Sequence, residues 1–182
     1  SIQESIHVFI EAGLKTFIKK NKKKEINILE IGFGTGLNAL LTNQETKQLK
    51  QIVNYHTLEP LPIEYSLIKN LNFKKINSKV FSLIHNLEWN CNHSINNFFT
   101  FFKEKITFED FNSKIKYDII YYDAFGPNSQ KEMWTLDVFE KLYSLLNSSG
   151  ILVTYCAKGQ VRRDLKSVGF EMERLPGPIG KR

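Results

Sequence analysis

The stretch Ile28-Leu29-Glu30-Ile31-Gly32-Phe33-Gly34-Thr35-Gly36-Leu37-Asn38 decides how the rest of the chain is read. A short apolar run ends at Glu30, three glycines follow at alternate positions, and Leu37-Asn38-Ala39-Leu40-Leu41 takes up a helical apolar spacing. The pattern predicts a strand, a tight turn and a helix whose first free N–H groups face the turn. Glycine in such a turn removes the Cβ that would fill a ligand's space or forbid the turn itself. The spacing Glu-x-Gly-x-Gly-x-Gly differs from the Gly-x-Gly-x-x-Gly of dinucleotide-binding folds, which disfavours an ordinary dehydrogenase.

A chain of 182 residues with 42% hydrophobic content can bury one α/β core and is short for two. Its longest apolar runs are only a few residues, too short to span a membrane, and there is no signal pattern at the N-terminus. The sequence begins inside a helical pattern and stops at Lys181-Arg182, so one domain trimmed at both ends is the expectation. Cys91 and Cys156 lie far apart without metal-ligand spacing, which fits free thiols in a reducing cytoplasm. The formal charge of +6 and pI near 9.2 invite a polyanionic partner. One lysine block, Lys19 to Lys24, suits a solvated helix end; Lys158, Arg162, Arg163, Lys166, Arg174, Lys181 and Arg182 gather in the last quarter.

Working outward, Val8, Phe9, Ala12, Leu14 and Phe17 predict an amphipathic helix over 5–20, with Ser5 as its N-cap. Strand 26–31, the glycine turn, a helix over 37–47 and strand 51–58 follow. Glu59-Pro60-Leu61-Pro62 stops that strand, and 63–70 reads as the next helix. Between Asn72 and Phe111 the pattern is poor: 80–85 is helical or extended, 90–97 is a loop or hairpin connection, and 98–102 is a strand. Tyr117–Asp123 is a buried strand broken by Ala124-Phe125-Gly126-Pro127, followed by a helix over 136–146 capped by Thr135. Ser148-Ser149-Gly150 turns into strand 151–156. A helix over 159–168 ends at Gly169, strand 170–175 follows, and Pro176 to Gly180 joins it to a last strand. Alternating strands and helices imply a parallel, doubly wound sheet with right-handed crossovers. Its ligand belongs at the carboxyl ends of the strands, where Glu30–Gly36, Glu59 and Asp123 all fall.

Glu59 lies 23 residues after Gly36 at a strand end, where a carboxylate can accept both hydroxyls of a ribose; the plainer reading is a surface acid beside a proline turn. His56 points to the opposite face and receives no role. Asp123 sits at the lip of a buried strand, where a carboxylate is costly unless solvated, paired or used. It can orient an amine, take its proton or balance a cation; otherwise it is a turn acid. Trp134 is either a core anchor or a stacking platform for a base. Lys158, Arg162 and Arg163 either contact phosphates or are solvated. No cluster has metal spacing, and no Ser/His/Asp arrangement has motif support.

The glycine stretch resembles motif I of class I S-adenosylmethionine-dependent methyltransferases, and Asp123-Ala124-Phe125-Gly126-Pro127 resembles the Asp/Asn-Pro-Pro-aromatic loop of amine methyltransferases. Several segments recur in order: Ser1-Ile2-Gln3-Glu4-Ser5 with His7-Val8-Phe9-Ile10, Glu30 to Asn38, Asp123 to Pro127 with Met133-Trp134-Thr135, and Gly159-Gln160-Val161-Arg162-Arg163-Asp164-Leu165 with Gly169-Phe170. Together they are similar to the methyltransferase part of the bacterial MnmC family. The resemblance implies a Rossmann-like fold that transfers a methyl from S-adenosylmethionine to the amine of 5-aminomethyl-(2-thio)uridine at the tRNA wobble position. It implies Glu30, Gly32, Gly34, Gly36, Asn38, Glu59 and Asp123 at the cofactor, Glu59 on its ribose, and Gln3 and Glu4 lining it from the N-terminal segment. It places Asp123 beside the reacting amine, Phe125 as the wall of the amine pocket, and Lys158, Arg162, Arg163 and Trp134 on the RNA. No metal is implied. Some family members carry a fused FAD-dependent oxidase; this chain looks like the stand-alone type, its substrate made by a separate enzyme. One departure stands out: Lys103-Glu104-Lys105-Ile106 replaces the Gly-Asp that meets the adenine amine, so Glu104 or a backbone group substitutes. Competing readings are a methyltransferase or aminopropyl transferase for another amine, and a non-catalytic cofactor- or RNA-binding module.

Overall fold

The computed structural model describes residues 1–71 and 74–173. Its centre is a sheet of six strands: β1 (Glu25–Ile31), β2 (Ile52–Leu58), β3 (Asn92–Asn96), β4 (Phe99–Glu104), β5 (Tyr117–Tyr122) and β6 (Leu146–Thr154). They run in the order β3-β4-β2-β1-β5-β6. All neighbours are parallel except β3, which pairs antiparallel with β4 at the edge. The chain winds outward from β1 through β2 to β4, then returns to β5 on the other side of β1. That reversal between β1 and β5 is where a doubly wound sheet opens a crevice at its carboxyl edge.

Burial explains the strand patterns. Every residue of β5 is buried, because helices cover both faces there and a continuous apolar run is tolerated. In β4 the burial alternates, since no helix among the described residues covers one of its faces. One face carries an N-terminal helical arm, α3 (Leu37–Leu49) and α5 (Lys74–Asn86), packed through Phe9, Leu14, Phe17, Leu40, Phe81 and Ile84. The other face carries α6 (Leu136–Leu145) and α7 (Gly159–Val168), packed through Phe139, Leu142, Val161 and Leu165.

The arm comprises α1 (Ile2–Ser5), a π-helical stretch Ile6–Lys15 and α2 (Thr16–Asn21). It starts three residues before the expected helix. Ser1, not Ser5, is the cap: its hydroxyl accepts the Glu4 N–H while Glu4 reaches back to the Ser1 amine, a capping box. Gly13 brings the arm onto the sheet, where a Cβ would meet Val153 and Tyr121 at 3.2 and 3.3 Å.

Other boundaries also differ from expectation. The helix expected over 63–70 shrinks to α4 (Tyr65–Ile68). The ambiguous 80–85 belongs to α5, interrupted at Asn77, whose Oδ1 accepts the Val80 N–H and restarts the helix. β6 begins at Leu146, five residues early, because Asn147 to Gly150 bulge between the pairings Tyr117–Leu146 and Ile119–Ile151. Cys156 lies beyond it. Phe170 to Glu173 form no strand; Arg174, Leu175, the Pro176–Gly180 turn, Lys181 and Arg182 lie outside the described residues. Both cysteines are free.

A buried lysine ties the edge of the sheet to a helix end. Lys103 Nζ donates to the carbonyls of Ile84 and His85, both at 2.9 Å, and lies over the Trp89 ring. It thereby satisfies terminal carbonyls of α5, where a cation also suits the helix dipole. Burial pushes its pKa down to about 8.

Candidate active site

The glycine turn leaves β1 at the sheet reversal. All three glycines take left-handed backbone, with φ of +95° at Gly32, +50° at Gly34 and +72° at Gly36. Their surroundings differ. A Cβ on Gly32 would meet the Asp123 carbonyl at 3.0 Å, and one on Gly36 would meet His85 and Phe33 at 2.9 Å. A Cβ on Gly34 would meet nothing within 4 Å. Gly34 therefore faces open space, whereas Gly32 and Gly36 are glycines because of packing and φ.

Glu59, at the end of β2, turns its carboxylate to this turn: Oε2 accepts the Gly34 N–H at 3.1 Å and Oε1 the Leu61 N–H at 3.0 Å. Asp123, at the end of β5, donates its backbone N–H to Ile31. Its Oδ2 accepts a hydrogen bond from Asn38 Nδ2, in the first turn of α3, at 2.9 Å. Burial pushes Asp123 up to about 6, against the Asn38 bond that pulls it down. Asp123 is therefore largely ionised at neutral pH, and among the described residues its Oδ1 has no side-chain hydrogen bond. Glu4 of α1 lies close enough to act electrostatically on Asp123, which brings the N-terminal arm to the site. Gln3 is exposed and lies in the same turn of α1.

Three expectations change. Glu30 is 0% exposed beneath the turn, so it cannot touch a ligand lying above. Trp134 is 8% exposed, packs against Tyr122 and Phe139, and donates its Nε1–H to the Phe125 carbonyl at 2.8 Å. It anchors the loop after β5 and has no free face for a base. Glu104 takes the strand position expected to meet adenine, but its Oε2 is engaged by His56 Nε2 at 2.9 Å. The backbone carbonyl of Glu104 accepts the Glu59 N–H instead. Phe125, by contrast, is 75% exposed beside Asp123.

Lys158, Arg162 and Arg163 are exposed at and along the start of α7. Lys158 Nζ bonds Asn128 Oδ1 at 2.7 Å, and Arg163 bonds Gln160 at 2.7 Å. Arg162, Arg163 and Lys166 line one groove with Phe170 and Met172.

One support of the turn was not expected, and His56 lies apart from the site as its strand position predicted. His85 supports the turn from below: its Nε2 meets the Thr35 carbonyl at 3.1 Å, its ring stacks on Tyr65, and Phe33 packs against it. Burial pushes it down to about 4, so it is neutral at ordinary pH and donates that bond. His56, bonded to Tyr117 as well as Glu104, lines a separate cavity of about 340 Å³ on the face that no described helix covers, with Asn54, Phe111 and Ser113. Nothing local in sequence marks His85, since its partner Thr35 lies 50 residues away in the chain.

Residues 77–182 match the profile of an S-adenosyl-L-methionine-dependent methyltransferase family. The chain belongs to that family. Over 194 aligned residues it is 29% identical to the tRNA 5-methylaminomethyl-2-thiouridine biosynthesis bifunctional protein MnmC of Leptospira interrogans, covering 97% of this chain and 29% of the relative. The protein of the same name from Cupriavidus necator is 47% identical over 64 residues, 35% of this chain and 10% of the relative. The chain thus spans under a third of the length of the full-length curated relative it matches along nearly all its own length. In fold it resembles the crystal structure of MnmC2 from Aquifex aeolicus, with a TM-score of 0.72, 21% identity, and coverage of 93% of this chain and 55% of that one.

The site fits the family's methyl donor on geometry alone. There is open space over Gly34, a carboxylate at the end of β2 beside it, and a second carboxylate, Asp123, whose Oδ1 has no side-chain partner among the described residues. Among the described residues no three His, Cys, Asp or Glu side chains are placed to hold a metal ion, and no helix is long and apolar enough to cross a membrane.

Proposed function

We propose that this chain methylates the side-chain amine of 5-aminomethyl-(2-thio)uridine at the tRNA wobble position, giving the 5-methylaminomethyl form. The observation that carries the reading is the Asp123–Asn38 pair at 2.9 Å, its Asp123 backbone against Gly32, in the same turn whose Gly34 faces open space. It sets a carboxylate oxygen free at the point where the methyl donor and an amine would meet. The names of the MnmC relatives, biosynthesis proteins for tRNA 5-methylaminomethyl-2-thiouridine, support this product.

Gly34 and its neighbours hold the donor against backbone, and Glu59 exchanges its hydrogen bonds from Gly34 and Leu61 for the ribose hydroxyls. Gln3 and Glu4 flank it from α1. When bound, S-adenosylmethionine supplies an electrophilic methyl whose C–S bond breaks, its electron pair staying on sulfur, as the amine nitrogen bonds the carbon. Asp123 Oδ1 accepts an amine N–H, aims the nitrogen lone pair at the methyl, and balances the charge nitrogen carries until its proton leaves. Phe125 covers the amine and excludes water. Lys158, Arg162 and Arg163 meet RNA phosphates, and the wobble base is taken out of its stack to reach Asp123. The setting is cytoplasmic, and a separate oxidase or upstream modification enzyme provides the aminomethyl group.

The test is transfer of labelled methyl from S-adenosylmethionine into tRNA lacking that methyl, followed by nucleoside analysis. Label in 5-methylaminomethyl-(2-thio)uridine supports the proposal. Label only in another amine overturns the substrate, and donor binding without transfer to any acceptor overturns catalysis in favour of a binding module.

A further inference from the structure

Glu30 is the least explained group in the molecule. Its carboxyl is wholly buried at the end of β1, and neither oxygen closes a hydrogen bond of good geometry. Thr57 and Tyr55 face it from β2, and Asn38 from α3; the Tyr55 hydroxyl, Thr57 Oγ1 and Asn38 Oδ1 are themselves buried without a satisfied bond. Asp123 and Tyr121, from β5, act on it electrostatically. No cation faces it. A buried carboxylate in such a place is far costlier than a neutral carboxylic acid, and burial pushes Glu30 up to about 8, with the Asp123 charge adding to the rise and Thr57, Asn38 and Tyr55 each pulling it down. At neutral pH it therefore holds a proton and is a donor.

Asn38 lies between the two acids. Its Nδ2 donates to Asp123, while its Oδ1 is a buried acceptor needing a donor. Were the amide turned over, Oδ1 would face the Asp123 carboxylate, two acceptors in contact. We infer that Glu30 is a positioning residue: as a neutral acid it donates to Asn38 Oδ1, fixes the amide, and so holds Asp123 ionised with Oδ1 free for an amine. The inference rests on the reading of Asp123 as amine acceptor. A polarised chain of this kind strengthens each of its bonds. The other groups facing Asp123 are Glu4 and the Ser1 amino group from α1, Tyr155 beyond β6, and Tyr55 from β2.

The test follows the Asp123 carboxyl by carbon-13 NMR through an acid titration of the full chain, without substrate. Glu30→Gln keeps a donor, so the Asp123 midpoint stays within about 0.3 units of wild type. Glu30→Met removes the donor at similar volume, and the midpoint rises by about one unit, an order-of-magnitude expectation for loss of one charge-assisted hydrogen bond. In an Asn38→Ala background the midpoint is already raised, and Glu30→Met adds nothing. An unchanged midpoint in Glu30→Met, equal shifts in the Gln and Met variants, or a further rise in the double variant overturns the role. If Glu30→Met does not fold, Glu30→Gln decides: a midpoint well below wild type means that Glu30 is charged in the native protein and overturns the inference. Because no tRNA is present, failure of methyl transfer in the earlier assay leaves this result separately readable.

Discussion

The two ends of β1 and β5 treat buried carboxylates in opposite ways. At the amino edge Asp118, 1% exposed, accepts hydrogen bonds from Lys23 Nζ at 2.6 Å, the Asn27 N–H at 2.9 Å and Asn147 Nδ2 at 2.7 Å. At the carboxyl edge, a few residues along the same strands, Asp123 has one side-chain donor and Glu30 has no satisfied bond. Charge satisfied on all sides is structural and inert. Carboxyls held short of partners, Glu30 and Asp123, are raised in pKa, so the contrast separates the end of the sheet that is tied down from the end proposed to react.

The strongest way to break that comparison is at Asp123. Asp123→Ala should cut the methyl-transfer rate by about 10²–10⁴ while calorimetry shows cofactor affinity within a few-fold of wild type. Equal loss of both would make Asp123 a structural group like Asp118. Next comes Asp118→Ala, which strands the Asn27 N–H and Asn147 amide. It should cost about 2–3 kcal/mol in denaturant unfolding and leave turnover per folded molecule unchanged.

A smaller effect sharpens the sign of the difference. Glu30 binds its proton more tightly folded, near 8, than unfolded, near 4.5, so its contribution to stability is full below 4.5 and is lost as pH rises to about 8. Glu30→Gln should flatten the fall in melting temperature across that window. If the fall persists undiminished, Glu30 is not the buried acid described. Smallest of all, replacing Arg162 and Arg163 together with alanine, far from both ends of this contrast, should weaken tRNA binding severalfold and reduce its salt slope by about two, with unfolding unchanged.

Much of this was legible in sequence, for stated reasons. The helix over 159–168 ends at Gly169 as expected, because an apolar stripe and a left-handed glycine bracket it. Thr135 caps α6 as expected, its hydroxyl accepting the Val138 N–H. The crevice could be placed because the ends of β1, β2 and β5 follow from apolar runs and the glycine turn. β3 was not legible: Asn92–Asn96 is a polar edge strand with no face wholly buried, and its partner alone makes it a strand. The depth of Glu30 and the support from His85 depend on residues 27 and 50 positions away, Thr57 and Thr35, which no local pattern reports. Trp134 takes the core-anchor reading of the two left open, since an aromatic reads the same from sequence whether it packs inward or stands out.

The loop carrying Phe125 holds one more consequence. Its backbone is fixed on both sides of the ring: the Tyr155 hydroxyl bonds the Ala124 carbonyl at 2.7 Å, and Trp134 bonds the carbonyl of Phe125 itself. Ordering a free backbone costs roughly 1–2 kcal/mol per residue, whereas stilling one side chain costs about 1 kcal/mol or less. The exposed ring can thus swing over Asp123 on a frame already frozen, at the cost of a rotamer change and little loss of entropy.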